Sequence, residues 1–500
     1  MMKSRIPRTL ILAALVVCSV ALARPQEGNV LEVNALASAH PFPHFWERVF
    51  GSGRAVLTLR ESYRQDLREV KRITGLEYVR FHAIFHDEVG IYDEDPQGKA
   101  VYNFSYADQI YDGLLANGVR PFVELSFMPK KLAAKDMPHP FWYKQNVSPP
   151  KDWAKWDELI TEFTKHLVAR YGGEEVSRWY FEVWNEPNID FWGGDPKQST
   201  YWELYDHTAR ALKAVCPGTR VGGPATAQAA WVDVFIRHCA DQGVPLDFIS
   251  THVYGNDLAK DVFGTSESIP RNQMVARAVK QVHDQIRSSA RPDLPLIWSE
   301  FNASFMNEPA VTDSLYMGPW LADTVRQCDG LVDVLAFWTF SDVFEEQGVV
   351  KTPFYGGFGL LAAGGIPKPA FNAFKLLHRL GDERMELDSD WALLTRKKDG
   401  SLVLAVWNYA PPEQAGAAKT VTLCFKGLNS KRCSILRLDA AHGDFHAVYE
   451  SMGSPRYPTG AQIEQLTKAA GLGPSETRRL SHAELTLTLP AHGLAVIDLK

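Results

Sequence analysis

Short apolar runs alternate with amphipathic stretches between about residues 55 and 345. The stretches between them, such as residues 61–73 and 152–171, carry apolar residues at the spacing of one helix face. Strands of a parallel sheet are buried on both faces and therefore appear as continuous apolar runs. The chain has eight such runs, at residues 55–59, 78–82, 121–125, 180–184, 220–223, 248–254, 295–301 and 334–340. Eight strands that alternate with helices predict an α/β fold, a parallel (β/α)8 TIM barrel. The rival is an open doubly wound sheet, but no GxGxxG turn follows a first run.

From about residue 385 the pattern changes to alternating apolar and polar positions with frequent turn residues. The runs 391–396 and 402–408 flank Asp399-Gly400, which predicts a β-hairpin. Further strands are expected at residues 421–425, 434–438, 485–489 and 494–499. We therefore expect a barrel domain over residues 24–380 and a C-terminal β-sandwich domain over residues 381–500. The second domain is expected to pack against the barrel, with a carbohydrate-binding module as the alternative.

The first residues have the pattern of a secretory signal. Lys3, Arg5 and Arg8 precede an apolar run over residues 10–22, and Ala21-Leu22-Ala23 has the small residues of a cleavage site. We expect residues 1–23 to be a signal peptide cleaved after Ala23, and the protein to be secreted or periplasmic. The run is short for a membrane span and no later segment is long and apolar enough, so we expect no membrane association.

Composition excludes several classes of function. The chain has 53 Lys and Arg against 59 Asp and Glu, and a formal charge of −6, which argues against nucleic-acid binding. Of the six cysteines, five follow residue 23, and they form no CxxC pair, so no zinc site is indicated. A Cys424–Cys433 disulfide is conceivable, but buried free thiols fit the sparse spacing better. A homo-oligomer remains open.

Two acids occupy the ends of predicted barrel strands. The fourth run is followed by Asn185-Glu186-Pro187, and the seventh carries Glu300 near its end. In a parallel barrel the active residues lie at the C-terminal ends of the strands. An acid in an apolar strand is costly unless it is paired or functional, so a buried salt bridge is the structural alternative. Cleavage of a glycosidic bond needs two carboxylates, one on each side of the bond, and this pair could supply them.

Other predicted strand ends are also polar or aromatic. They supply His82, His252, Tyr254 and Trp338, and Glu345 and Glu346 follow the eighth run. His252 and Tyr254 are two residues apart and point to the same side of their strand. A satisfied buried histidine or a packed aromatic explains each of them alone. Their shared position at one rim favours a binding site.

These residues occur in segments that resemble a known family. The matching segments are 51–54, 80–82, 121–125, 184–188, 221–224, 299–302 and 338–346. They are similar to glycoside hydrolase family 39 over nearly all of residues 45–500, and most like its β-xylosidases. Asn-Glu-Pro is shared by a large clan of barrel glycosidases, whereas the segment ending in Glu345-Glu346 is far more specific. The resemblance implies a (β/α)8 barrel with a β-sandwich, retention of anomeric configuration, and no metal or cofactor.

The resemblance also implies roles for the site residues. Glu186 would be the acid/base and Glu300 the nucleophile, with their carboxyl groups about 5–5.5 Å apart. Tyr254 would hydrogen-bond Glu300. The sugar-binding positions would be His82, Asn185, His252, Tyr254, Trp338 and Glu345 or Glu346.

The implied substrate is a carbohydrate. We expect an exo-acting enzyme that releases xylose from the non-reducing ends of β-1,4-xylo-oligosaccharides. An α-L-iduronidase is the main alternative, and its uronic acid substrate would need a cationic group in the pocket. An arabinose-directed glycosidase is also compatible with the resemblance. A non-catalytic sugar-binding protein is disfavoured, because both Glu186 and Glu300 are present.

Overall fold

The computed structural model describes residues 29–499, and its central element is a closed barrel of eight parallel strands. In chain order these strands are Val49–Ser52, Tyr78–Phe81, Arg120–Leu125, Tyr180–Val183, Arg220–Thr226, Phe248–His252, Leu296–Phe301 and Val334–Phe337. Each pairs with the next in sequence, and the eighth closes on the first through Phe337 and Phe50. The prediction of a (β/α)8 TIM barrel is confirmed.

Helices cover the outside of the barrel. The eight that follow the successive strands are Glu61–Ile73, Ser105–Ala116, Trp153–Tyr171, Lys197–Val215, Val232–Gln242, Arg271–Arg287, Met317–Cys328 and Pro369–Leu377. Shorter α-helices are Gly173–Val176, Ala259–Phe263 and Pro309–Thr312, and Ala227–Ala229 is a 3-10 helix. Two short antiparallel pairs are Tyr92–Glu94 with Ala100–Tyr102, and Leu361–Ala362 with Ile366–Pro367. The apolar faces of the helices pack on the barrel in one large core.

The inside of the barrel is divided into an apolar and a polar half. An apolar cluster fills the half in which the strands begin, and it consists of Val49, Tyr78, Phe122, Phe248, Ile297, Val334 and Ala336. Charged and polar side chains occupy the half in which the strands end. The apolar cluster closes the barrel from below and supports the polar residues above it.

The expected first strand at residues 55–59 is wrong. Ala55–Leu59 is a 3-10 helix, and the first barrel strand is the preceding segment Val49–Ser52. A short apolar run is buried equally well as a strand or as a helical turn, so the run alone does not distinguish the two structures. In the observed first strand, Gly51 leaves room for the side chain of Trp338, because a Cβ there would lie 2.1 Å from Cε3 of Trp338.

Two sheets pack face to face in the C-terminal region. The seven-stranded sheet has the order Ala39–Pro41, Glu383–Met385, Ala392–Arg396, Leu402–Trp407, Leu494–Leu499, Arg432–Leu438, Glu476–Arg479, and the three-stranded sheet has Asn29–Asn34, Lys419–Lys426, Glu484–Leu489. Their inner faces share one apolar cluster, which confirms the β-sandwich. The predicted hairpin is present, with Gly400 at a positive φ of 83° in its turn. The helices His446–Ser451 and Gly460–Ala469 lie between strands of this region.

Residues 29–41 belong to the sandwich, so their assignment to the barrel domain is wrong. Asn29–Asn34 pairs with Lys419–Lys426 in parallel, and Ala39–Pro41 pairs with Glu383–Met385. These short edge strands find partners more than 340 positions away, which local sequence pattern does not reveal. The predicted signal peptide, residues 1–23, lies outside the described residues and stays a prediction.

The cysteines between residues 29 and 499 form no disulfide. Cys216, Cys239, Cys328 and Cys433 are buried free thiols, and Cys424 is partly exposed. Over the same residues no helix combines the length and apolar character that crossing a membrane requires.

Lys368 joins the segment after the eighth strand to the last barrel helix. It is fully buried, and its Nζ lies 2.7 Å from Asp313 and 3.2 Å from Asp342. It also donates to the backbone oxygen of Gly357 at 2.7 Å. Removing one partner of such a group leaves buried charges without compensation.

We therefore expect Lys368→Met to lower the free energy of unfolding by about 3–5 kcal/mol, as breaking a buried ion pair does. Urea denaturation measures the loss. Lys375→Met, at an exposed position of helix Pro369–Leu377, is the matched control and should change stability little. Equal stability of the two variants would contradict this account.

Candidate active site

A cavity of about 310 Å³ opens at the C-terminal ends of the barrel strands. The structure brings all but one of the predicted site residues to its wall: His82, Asn185, Glu186, His252, Tyr254, Glu300, Trp338 and Glu346. Segments between the barrel strands and helices add Phe141, Phe191, Gln228, Asp257, Phe305 and Phe358. Sequence reasoning missed these six because Gln228 lies in the 3-10 helix Ala227–Ala229 and the others lie on loops, and no strand pattern fixes the path of these segments.

The turn after the fourth strand aims Glu186 into the cavity. Trp184 and Glu186 both have left-handed backbones, with φ of 70° and 44°. Non-glycine residues adopt this conformation at a cost that surrounding contacts must offset. The Trp184 indole donates to the carbonyl of Phe191 at 2.7 Å, and the Glu186 amide donates to that of Ala225 at 2.7 Å.

Glu300 lies near the end of the seventh strand and accepts two short hydrogen bonds. Arg80 Nη1 donates to Oε1 at 2.5 Å, and the Tyr254 hydroxyl donates to Oε2 at 2.6 Å. The predicted contact between Tyr254 and Glu300 is confirmed. Each oxygen thus faces a donor, which suits a carboxylate that carries a negative charge.

Glu186 has a different environment from Glu300. Burial, and then the negative charge of Glu300, raise the pKa of Glu186 well above its usual value. Its Oε1 lies 3.0 Å from Nδ1 of His252. One oxygen of Glu186 and one of Glu300 lie within 4.8 Å of each other. Two like groups in one cavity therefore have different hydrogen-bond partners and different electrostatic environments.

Arg80 organises the floor of the cavity. Its fully buried guanidinium contacts Glu182 at 2.6 Å, Glu124 at 2.8 Å and the side-chain oxygen of Asn185 at 2.9 Å, in addition to Glu300. Sequence reasoning assigned no role to Arg80, Glu124 or Glu182. The signal was present, because each is a charged residue inside an apolar barrel strand, the same feature that singled out Glu300.

Asn185 and His82 are held by this network. Because the side-chain oxygen of Asn185 accepts from Arg80, its amide nitrogen is left to donate to a ligand. His82 Nδ1 donates to Glu124 at 2.6 Å, and its Nε2 lies 3.8 Å from Oε1 of Glu346. Burial, and then the charge of Glu300, raise the pKa of Glu346 to about 8.

Trp338 forms an aromatic wall above the charged floor. Its ring lies 4.7 Å from that of His82, and the guanidinium of Arg80 lies 5.7 Å from its centroid. Gly51 on the first strand leaves the space that the indole occupies.

Glu345 is the predicted site residue that the structure places elsewhere. Arg60 binds its carboxylate at 2.5 Å and Arg54 binds it at 3.2 Å. The expected role of Glu345 in sugar binding is therefore corrected. Of the two adjacent acids, Glu346 lines the cavity and Glu345 anchors the loop. Two neighbouring residues in a loop point in different directions, which the motif alone could not resolve.

Two groups of side chains in residues 29–499 have donor atoms close enough for a metal ion. Glu186, His252 and Glu300 form one, and His44, Glu47 and His378 form the other. In the first, the guanidinium of Arg80 already lies against Glu300 and opposes a further cation there. In the second, both histidines hydrogen-bond Glu47 at 2.7–2.8 Å, outside the cavity. The expectation of a reaction without metal or cofactor stays a prediction.

Comparisons with known proteins agree on one family. The model of glycosyl hydrolases family 39 matches residues 29–481. A β-xylosidase from Geobacillus stearothermophilus is 38% identical over 92% of this chain and 93% of its own length. The crystal structure of a monomeric β-xylosidase from Caulobacter crescentus superposes with a TM-score of 0.86 at 35% identity, and covers 95% of this chain and 99% of that one. An α-L-iduronidase from Mus musculus is 28% identical over 50% of this chain and 37% of its own length.

The geometry predicts how Glu300 affects the pKa of Glu186. Glu300→Gln should lower the pKa of Glu186, because it removes a neighbouring negative charge. The pKa should stay above that of an exposed glutamate, because burial remains. Carbon-13 NMR of labelled glutamate, with the Glu186 signal assigned by its loss in Glu186→Gln, measures both values. An unchanged pKa in Glu300→Gln would show that the two carboxyl groups do not interact.

Proposed function

The chain belongs to glycosyl hydrolases family 39 and is therefore a glycoside hydrolase, and we propose that it is a retaining exo-β-xylosidase. It would release xylose from the non-reducing ends of β-1,4-xylo-oligosaccharides. The observation that carries the proposal is the pair of unlike carboxyl groups, whose oxygens approach within 4.8 Å. Retaining glycosidases have carboxyl groups about 5–5.5 Å apart and inverting ones about 6.5–9.5 Å. The short separation favours retention.

In the first step Glu300 attacks the anomeric carbon. Its charge is maintained by Arg80 and Tyr254, which contact one oxygen each. Glu186, whose pKa is raised by burial and by Glu300, gives its proton to the departing oxygen. The products of this step are a glycosyl ester on Glu300 and the free leaving group.

In the second step Glu186 acts as the base. Once Glu300 is an ester it no longer carries the negative charge that raised the pKa of Glu186. Glu186 stays ionised and removes a proton from the water that attacks the anomeric carbon. The bond between that carbon and Glu300 breaks, which releases the sugar and restores the Glu300 carboxylate. Asn185 is placed to donate to the 2-hydroxyl of the sugar, a contact that strengthens in the transition state.

The charge of the cavity supports a neutral sugar. Among the described residues that line it there is no Lys or Arg, while Glu186, Asp257, Glu300 and Glu346 are acidic. A uronic acid would bring its carboxylate next to these acids without a cation to bind it. This disfavours the iduronidase alternative. The match to a β-xylosidase over 92% of this chain, against 50% for an α-L-iduronidase, favours xylose. The small cavity, at the lower end of the range for ligand sites, fits removal of a terminal sugar.

A panel of aryl glycosides tests the substrate and the stereochemistry. We expect hydrolysis of aryl β-xyloside, little hydrolysis of aryl α-iduronide, and a β-anomer as first product in a proton NMR time course. An α-anomer as first product would exclude retention. Preference for an arabinoside or an iduronide would replace the substrate assignment, and binding of xylose without turnover would indicate a non-catalytic sugar-binding protein.

Substitution of each acid separates their roles. Glu300→Ala should abolish hydrolysis, and added azide should restore turnover and give the azide of inverted configuration. Glu186→Ala should reduce hydrolysis of substrates with poor leaving groups by about 10²–10⁴-fold, because these need the proton, and spare reactive leaving groups.

Glu203→Ala is the control for both variants, since Glu203 is exposed on helix Lys197–Val215 and should leave all rates unchanged. Wild-type rates in Glu300→Ala would refute the assignment of the nucleophile. Equal losses for poor and reactive leaving groups in Glu186→Ala would refute that of the acid.

A further inference from the structure

We propose that Ser299 and Glu182 are positioning residues that fix the tautomer of His252, so that His252 accepts a hydrogen bond from protonated Glu186 and cannot donate one. Neither residue lines the cavity, and neither has a part in the mechanism above. The inference rests on the proposed function of Glu186 as the acid/base.

A chain of three short contacts joins Glu182 to Glu186. The Ser299 hydroxyl donates to Oε1 of Glu182 at 2.6 Å. His252 Nε2 lies 3.0 Å from the same hydroxyl, and His252 Nδ1 lies 3.0 Å from Oε1 of Glu186. Glu182, Ser299 and His252 are fully buried, so water does not compete for these contacts.

The direction of each of the three hydrogen bonds follows from Glu182, at the buried end of this series of contacts. The other oxygen of Glu182 accepts a hydrogen bond from Nε of Arg80 at 2.6 Å, and this contact favours the carboxylate form. Burial raises the pKa of Glu182, and the charge of Arg80 opposes that effect. A carboxylate can only accept, so the hydroxyl of Ser299 must donate to it. The oxygen of Ser299 is then free to accept from His252, which places the imidazole proton on Nε2.

A neutral imidazole has one proton, so Nδ1 of His252 is left as an acceptor. Burial holds the pKa of His252 well below its usual value, and the charges of Arg80 and His82 add to this, so the ring is neutral. The contact between Nδ1 and Glu186 is then a hydrogen bond only when Glu186 carries a proton. His252 thereby stabilises the acid form of Glu186 and gives no support to its ionised form.

The consequence concerns both catalytic steps. Before attack on the sugar, the hydrogen bond to His252 helps Glu186 to hold its proton. After it has given up that proton, its carboxylate faces the lone pair of Nδ1 and no donor on the imidazole, which makes it a stronger base toward water. The charges of Arg80, Asp257, Glu300 and Glu346 act on Glu186 from other elements. Tyr254 interacts with Glu186, and the charge of His82 acts on His252. Ser299→Ala leaves all of these groups in place.

Ser299→Ala removes the acceptor that holds the imidazole proton on Nε2. His252 can then carry its proton on Nδ1 and donate to ionised Glu186. We expect the alkaline limb of kcat/KM to move to lower pH by about one unit, the effect of one hydrogen bond to a charged group. At pH 7 hydrolysis of a substrate with a poor leaving group should fall by several-fold more than that of a reactive aryl xyloside.

Ser52→Ala is the matched control. Ser52 is a buried serine at the end of the first barrel strand, and its hydroxyl contacts Tyr63 at 2.9 Å and has no contact with His252. This variant should keep the wild-type pH profile. A loss of stability in Ser299→Ala without movement of the alkaline limb would show a purely structural role and overturn the proposal.

Nitrogen-15 NMR of the wild-type protein with labelled histidine tests the tautomer directly and does not depend on the folding of a variant. We expect the His252 signals of a neutral ring protonated on Nε2, and a proton on Nδ1 would overturn the proposal. The two hypotheses fail separately. If the wild-type protein hydrolyses no glycoside, the proposed function fails while the tautomer is still measured. If the wild-type protein hydrolyses with retention of configuration but Ser299→Ala keeps the wild-type pH profile, only the proposed role of Ser299 and Glu182 fails.

Discussion

The buried guanidinium of Arg80 is the interaction on which the rest of the site depends. It contacts Glu124, Glu182 and Glu300, which come from the third, fourth and seventh barrel strands. None of the three carboxylates could remain charged at this depth without a cation, because the desolvation cost of an unpaired ion is several kcal/mol. Arg80 therefore compensates the negative charge of the cavity floor and, through strand-end contacts, fixes the relative positions of strands that are distant in sequence.

The two acids differ in their direct contacts with this cation. Glu300 is bonded to Arg80 directly and to Tyr254. For Glu186 the nearest polar contact is instead the neutral ring of His252, and the charge of Glu300 acts on it from within the same cavity. A proton donor and a nucleophile thus arise from chemically identical side chains, because Arg80 donates a hydrogen bond to Glu300 and none to Glu186.

Local patterns revealed the elements of the fold but not all of their pairings. Seven of the eight predicted apolar runs coincide with barrel strands, because strands buried on both faces have few alternatives. Ala55–Leu59 shows the limit, since an apolar run of this length packs equally well as a 3-10 helix. The strand Asn29–Asn34 shows another, because its partner Lys419–Lys426 lies at the far end of the chain. The predicted sugar-binding role of Glu345 is wrong for a third reason, since the path of the loop decides which of two adjacent acids reaches the cavity.

The residues that support the site could have been found from the two-residue period of the strands. Tyr78, Phe122 and Ile297 lie in the apolar cluster, and Tyr180 packs against it. Two positions further along the same strands come Arg80, Glu124, Ser299 and Glu182, in that order. Side chains two apart point to the same face, so a polar residue that follows an inward apolar one must also point into the barrel. A charge at such a position cannot reach solvent and must have a buried partner. The layering of a parallel barrel thus places the apolar cluster below, the charged floor of the cavity above it, and the reactive groups on top. The two-residue period of the strands relates the charged floor to the apolar cluster in the sequence.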